Sequence, residues 1–239
     1  MRLYRHLPVV LAIVAALMLL AAGLGTRAGL WTFRTGFTVL KYAAYLGIAT
    51  TLLSLVALAI PRWRSGHLLP LLVALIVSAA VVYVPWSWLR KARSVPPIHD
   101  ITTDTERPPE FVAVLPLRAG APNPPEYAGA QAAAQQRTAY PDIQPVTMQA
   151  APAAVFRLAQ AAAEDMGWEI VAADSAGGRI EATATTQWFG FKDDVVIRIE
   201  PAGQGSRIDV RSKSRVGGGD VGANAARIRK YVAKLRTRS

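Results

Sequence analysis

Two short stretches of the chain carry residue types capable of chemistry. WFGFKDD, Trp188 to Asp194, sets three aromatics and Lys192 beside the adjacent carboxylates Asp193 and Asp194. Paired carboxylates do acid–base work only when both reach one substrate, and neighbours on a strand point to opposite faces. The pair is therefore not expected to converge. Trp188, Phe189 and Phe191 around Gly190 read as packing over a sheet end at a turn, or as an aromatic lip for a lipid or peptide. RSKSRVGGGD, Arg211 to Asp220, places Arg211, Lys213 and Arg215 on one face of a strand and then brings glycines to a helix start. Backbone amides there, with a basic row, suit an anionic headgroup or phosphate. Asp220 already caps that terminus, however, and no P-loop spacing of Gly and Lys is present, so the plainer reading is a solvated basic strand with a flexible corner. These residues are candidate ligand contacts, and none is given a catalytic role.

Other chemistry is restricted by composition. The chain has no cysteine, which removes disulfides, thiolate nucleophiles and the usual structural zinc sites. Its three histidines are His6, His67 and His99; the first two flank apolar runs, so a histidine-based triad would have to use His99. His99, Asp100, Asp104 and Glu106 form an acidic group too sparse for a metal cage and read as a solvated turn. No metal or cofactor is expected. A hydrolase of envelope lipid or glycan would have to draw on Asp193, Asp194, His99 and Asp220, which have no evident reason to converge.

The elements that must position these residues are legible as periodicities. Ile180, Ala182 and Ala184 alternate with Glu181 and Thr183; Val195, Ile197 and Ile199 alternate with Arg198 and Glu200; Ile208 and Val210 alternate with Asp209 and Arg211. A period of two, apolar on one side and charged on the other, predicts an antiparallel sheet with one wet face. Upstream, Ile143 to Met148 reads as an edge strand. A helix from Pro152 with Val155, Leu158, Ala159, Ala162 and Met166 at three- and four-residue steps ends at Gly167, and Trp168 to Ala172 returns as a strand. Asp220 caps a last helix with Val221, Ala225, Ile228, Val232 and Leu235 on its apolar stripe and Arg227, Lys230 and Lys234 on the wet side. The order strand, helix, four strands, helix predicts an α+β domain over 140–239 with two helices on one face of the sheet.

The first half is a different material. Apolar content is 52% and mean hydropathy is +0.24, which is high for a soluble domain. Three uncharged or nearly uncharged runs, about 8–24, 36–60 and 68–89, predict three transmembrane helices in an anchor of residues 1–93. A cleaved signal peptide is the competing reading of the first run. Residues 1–95 contain ten Lys and Arg and no acid, and residues 96–239 contain seventeen basic and sixteen acidic side chains. The pI near 10.4 thus comes from membrane flanks, and no nucleic-acid partner is expected. The runs carry no Asp or Glu, which speaks against an ion pathway and for an anchor or contact surface; Ala43, Ala44 and Gly47 could support helix packing. Residues 94–139, with Pro96-Pro97, Pro108-Pro109, Pro116, Pro122 and Pro124-Pro125, read as an extended tether. Within it 98–111 is pinned to the domain through Ile98, Ile101 and Phe111.

IHDITTDTERPPEF from Ile98, AYPDI from Ala139, RIEATATTQWFGFKDDVVIRI and RIDVRSKSRVGGGDVGANAARIRKY resemble the Domain of Unknown Function 1499 family over about Ile98 to Leu235. No activity comes with that resemblance. Secreted and lipoprotein members imply an extracytoplasmic domain, against a basic-residue count that slightly favours a cytoplasmic tail. The order of elements is also similar to helix-grip modules. Taken together, the sequence predicts a multi-pass bacterial inner-membrane protein holding a non-catalytic domain in the periplasm for lipid or protein contact. The alternatives are the hydrolase and a cytoplasmic regulator that meets anionic lipid through Arg211, Lys213 and Arg215.

Overall fold

Residues that are apolar for twenty positions or more form helices that leave much of their surface uncovered. The computed structural model describes residues 6–238; Arg2 and Arg5, which enter the orientation count, lie outside the described residues. The chain divides into two units, Met1–Lys91 with Gln187–Gly190, and Ala92–Thr186 with Phe191–Ser239.

The first unit is built on α1 (Leu7–Arg27), α2 (Phe33–Ala59), a single turn α3 (Pro61–Arg64) and α4 (Leu68–Ser94). The helices α1, α2 and α4 are each long and apolar enough to cross a membrane. Leu17, Leu52 and Ile76 are more than half exposed, as side chains facing lipid would be. The helices meet through small residues: Ala15 and Ala43 are fully buried beside Val81. A Cβ added at Gly47 would come within 3.0 Å of Val82 Cγ2, so glycine lets α2 approach α4 closely. Thr51 and Ser78 share a hydroxyl–hydroxyl hydrogen bond of 2.9 Å. Gln187–Gly190 count with this unit. The Trp188 indole N–H donates to the Leu20 carbonyl at 3.4 Å, and its ring lies 5.0 Å from that of Trp88. The Phe189 ring lies 5.1 Å from that of Phe37.

In the second unit β1 (Asp100–Thr102), β2 (Val146–Met148), β3 (Glu169–Asp174), β4 (Arg179–Thr185), β5 (Lys192–Ala202) and β6 (Gly205–Ser214) form one antiparallel sheet in the order β1-β6-β5-β4-β3. The strand β6 pairs with β5 along its whole length, and its other edge is shared by β1 against residues 211–213 and β2 against 206–208. Thr103 fills the interval, donating its amide to Val210 O and accepting the Val210 amide at its hydroxyl, both at 2.9 Å. The outer edge of β1 is closed by one side chain of α5 (Gly129–Ala139): Gln136 accepts from Thr102 N at 3.0 Å and donates to Thr102 O at 2.6 Å. An amide side chain thus does the work of a further strand.

The helices α6 (Pro152–Asp165) and α7 (Ala223–Arg236) cover one face of this sheet. Ile180, Ile197, Ile208 and Val210 from the strands meet Val155, Ala159 and Ala162 of α6 and Ala225, Ile228 and Leu235 of α7, all at 0–2% exposure. Each aliphatic side chain so buried contributes about 1.5–3 kcal/mol. Fold class and element order agree with the periodicities, although α7 begins only at Ala223. Val221 stands outside it with a left-handed φ of 55°.

Two expectations fail together. The charged face of the sheet is not wet, and residues 94–139 are not an extended tether. The segment from Thr103 to Ala139 lies over that face, with Val114 and Phe111 packed on Val196 of β5. Prolines hold this segment open without a ladder of its own, and its carbonyls become acceptors for the charges beneath.

Candidate functional site

The covered face is a layer of ion pairs. Asp194 on β5, fully buried, accepts from Arg118 Nη1 at 2.6 Å, from Arg215 Nη2 at 2.7 Å and from the Thr183 hydroxyl at 2.8 Å. In the same cross-strand row, on the far side of Lys213, Asp100 on β1 receives a two-pronged bond from Arg211 at 2.9 and 2.8 Å and Lys213 Nζ at 3.0 Å. Arg211 also donates to the carbonyls of Pro109 and Pro125 at 3.0 and 2.8 Å, with its guanidinium 4.7 Å from the centre of the Phe111 ring. Glu181 on β4 takes the amides of Val112 and Val114 at 2.9 and 3.0 Å. Burial pulls the Lys213 ammonium below the usual lysine range, against the opposing pull of Asp100. Burial, with the Asp100 charge, pushes the Tyr127 phenol up to about 12. Arg211 and Lys213, expected as a solvated row, are at 2% and 1% exposure and meet no solvent ligand. Asp100 and Asp104, expected in a solvated turn, are buried as well.

Asp104 closes one end of this layer, accepting Arg198 at 3.0 Å and Arg207 at 2.8 Å beside Asp209. Burial tends to raise its pKa, but the amides of Arg107 and Glu106 and the two guanidinium charges outweigh that and hold it below the usual 3.8. A carboxyl whose folded pKa is depressed contributes stability above its unfolded pKa, and that stability drains as pH falls through the folded value. Acid titration of the full chain is expected to lose stability below about pH 3.8, and Asp104→Asn to flatten that limb, as read by tryptophan fluorescence. An unchanged acid limb in the variant would show that the group does not couple to folding.

The other predicted site residues are distributed over different surroundings. Asp193 points to the helix face, where Arg227 of α7 holds it at 2.5 Å. The two adjacent carboxylates thus face opposite sides of the sheet. Asp220 caps α7 through the amides of Gly222 at 2.8 Å and Asn224 at 2.7 Å. Burial, with the nearby Asp193 charge, raises its pKa against those bonds. His99 supplies its carbonyl to the Asn224 side chain at 3.1 Å and to Ser214 N at 2.9 Å. Lys192 opens β5, and Phe191 just before it donates its amide to the Thr186 hydroxyl at 2.8 Å. Trp188 and Phe189 belong to the helical unit. Among the described residues no three His, Asp or Glu side chains gather at metal-binding distance.

A cleft of about 260 Å³ lies on the helix side, where the end of β4 and the start of β3 face α7. Met166, Trp168 and Ala184 form its floor, Thr185 its lip, and Arg227 and Lys230 one wall. Sequence reasoning missed it. The available signal was the three-residue spacing of Arg227 and Lys230 on one helical face, but the wall opposite comes from residues some forty to sixty positions upstream.

Fold and geometry define a class: a membrane-associated chain carrying an α+β domain whose sheet has a helical cover on one face and an ion-paired cover on the other. Residues 100–235 match the model of the family described as "Protein of unknown function (DUF1499)", and the chain belongs to that family. No curated protein matches the sequence. Among solved structures it is similar to TTHA0849 from Thermus thermophilus, at 16% identity over 39% of this chain and 84% of that one, with a TM-score of 0.21.

Proposed function

We propose that the protein is a non-catalytic binding module held at the bacterial inner membrane by three helices, with its α+β domain on the periplasmic side for contact with lipid or an envelope protein. One observation carries this reading. The acids that could serve a hydrolase are each engaged, and the adjacent pair is split by the sheet: Asp194 is held by Arg118 and Arg215 on one face, Asp193 by Arg227 on the other, and Asp220, near Asp193, is taken up as a helix cap. A general acid or base must reach its substrate with a free lone pair or proton, and Asp193 and Asp194 are buried against guanidinium groups, away from solvent. The regulator reading loses support for a related reason, since Arg211 and Lys213 are spent on Asp100.

A reporter pair fused after Ser239, one enzyme active only outside the cytoplasm and one only inside, tests the placement. External activity alone is the expected result. Internal activity alone would overturn the periplasmic assignment and send the search to cytoplasmic partners.

A further inference from the structure

The walls of the cleft differ in chemistry. Met166, Trp168, Ala184 and Ala226 make an apolar floor and side, and no carboxylate lines the space. Arg227 and Lys230 stand three residues apart on α7 and so share a face. Their electrostatic states are unlike. Arg227 is compensated by Asp193 at 2.5 Å and its side chain is at 10% exposure. Lys230 is exposed and has no ion-pair partner among the described residues. The amides of Gly222 and Asn224 are already taken by Asp220, so the helix terminus itself is closed to a ligand, and the uncompensated charge is the Lys230 ammonium.

We infer that this cleft takes a phosphate group, with Lys230 as its direct contact, Arg227 as a fixed neighbouring cation, and Trp168 and Ala226 lining the apolar space beside it. An ammonium is a compact point charge well matched to phosphate. A volume of about 260 Å³ lies just below the range of pockets that enclose drug-sized ligands, which suits a headgroup. A lipid headgroup and a soluble anion are the two bearers of phosphate that such a site serves, and the chain's three membrane-crossing helices make the lipid the first to test. The inference rests on the binding reading above and names the chemistry it recognises.

The chain has six lysines, Lys41, Lys91, Lys192, Lys213, Lys230 and Lys234, few enough to resolve individually. The full chain, in micelles of a phosphate-free maltoside detergent, is labelled by reductive ¹³C-methylation, which keeps the charge, and Lys230→Arg assigns the Lys230 signal by its disappearance. Inorganic phosphate and phosphatidic acid are titrated separately, with sodium dodecanesulfonate as an anionic amphiphile lacking phosphate. The expected result is a saturable shift of Lys230 with phosphatidic acid that is weaker by about tenfold or more in Ala226→Trp, a substitution at an exposed helix position that fills the cleft while the melting temperature is kept.

A response to phosphatidic acid alone supports a lipid headgroup, and an equal response to inorganic phosphate supports the same site with a soluble anion as its source. Lys230 unmoved by either, moving equally in Ala226→Trp, or moving equally with the sulfonate overturns the inference. A silent Lys230 beside an external reporter would sink the cleft and leave the membrane-module reading standing, whereas a responsive Lys230 beside an internal reporter would do the reverse.

Discussion

Replacing Asp194 by Ala is expected to cost the domain about 3–5 kcal/mol, a large share of the stability of any domain of this size. Asp194 is fully buried and is the common acceptor of Arg118 and Arg215, whose side chains are at 2% and 14% exposure. Without it, two guanidinium groups remain beneath the covering segment, with Asn123 O at 2.9 Å from Arg118 and the Thr183 hydroxyl at 3.1 Å from Arg215 as remaining acceptors. The penalty comes from the stranded cations more than from the lost attraction, because an ion pair taken out of water gains little net free energy. The combined replacement Asp194→Leu, Arg118→Met, Arg215→Met is therefore expected to retain most of the stability that the single change loses. Denaturant titration of the full chain in detergent, followed by near-ultraviolet circular dichroism, reads both. A single variant as stable as the parent would mean that water reaches this layer and screens it.

Tyr231→Ala is the second large effect, expected at about 3–5 kcal/mol as for other buried aromatics. The side chain is fully buried on α7, its ring stacked on Trp168 at 5.1 Å and 23°, and its hydroxyl donates to Ala159 O of α6 at 3.0 Å. Burial alone lifts the phenol well above the usual tyrosine range, so the hydroxyl stays a donor throughout the physiological range. Tyr231→Phe keeps the ring and drops only the bond between helices, at about 1 kcal/mol. The ratio of the two losses, measured in the same titration, separates packing from hydrogen bonding. Equal losses would mean that the hydroxyl, and not the ring, holds α7 against α6.

The parts of this fold that were legible are those set by neighbours in sequence. Alternation at Ile180, Ala182 and Ala184 and three- and four-residue steps at Val155, Ala159 and Ala162 report local geometry directly, as do apolar runs too long for a globular helix. Glu181, Asp194 and Arg211 were misread because a charge alternating with apolar residues looks the same whether the far face meets water or meets opposite charges. The deciding partners, Asp100 and Arg118, lie in a proline-rich stretch without periodicity, about 75 to 110 positions away from the residues they bind. The same distance hid the cleft. Lys230 was legible as a solvent-facing cation, but the apolar residues that give it a setting, Trp168 before β3 and Ala184 on β4, lie far from it in sequence.

The pairing of Asp100 with Lys213 across β1 and β6 also sets a clock on biosynthesis. At about 5–20 residues per second, a ribosome delivers Asp100 on the order of ten seconds before the strand that will hold it. During that interval Asp100 has neither Arg211 nor Lys213 to pair with, and Asp194 emerges before Arg215 can join it. A chain terminated just before β6 would leave β1 and β2 without the strand they pair with and β5 with an open edge. A protease that recognises open sheet edges would therefore meet truncated products at any time, and the full chain only until its last strand has closed against its first.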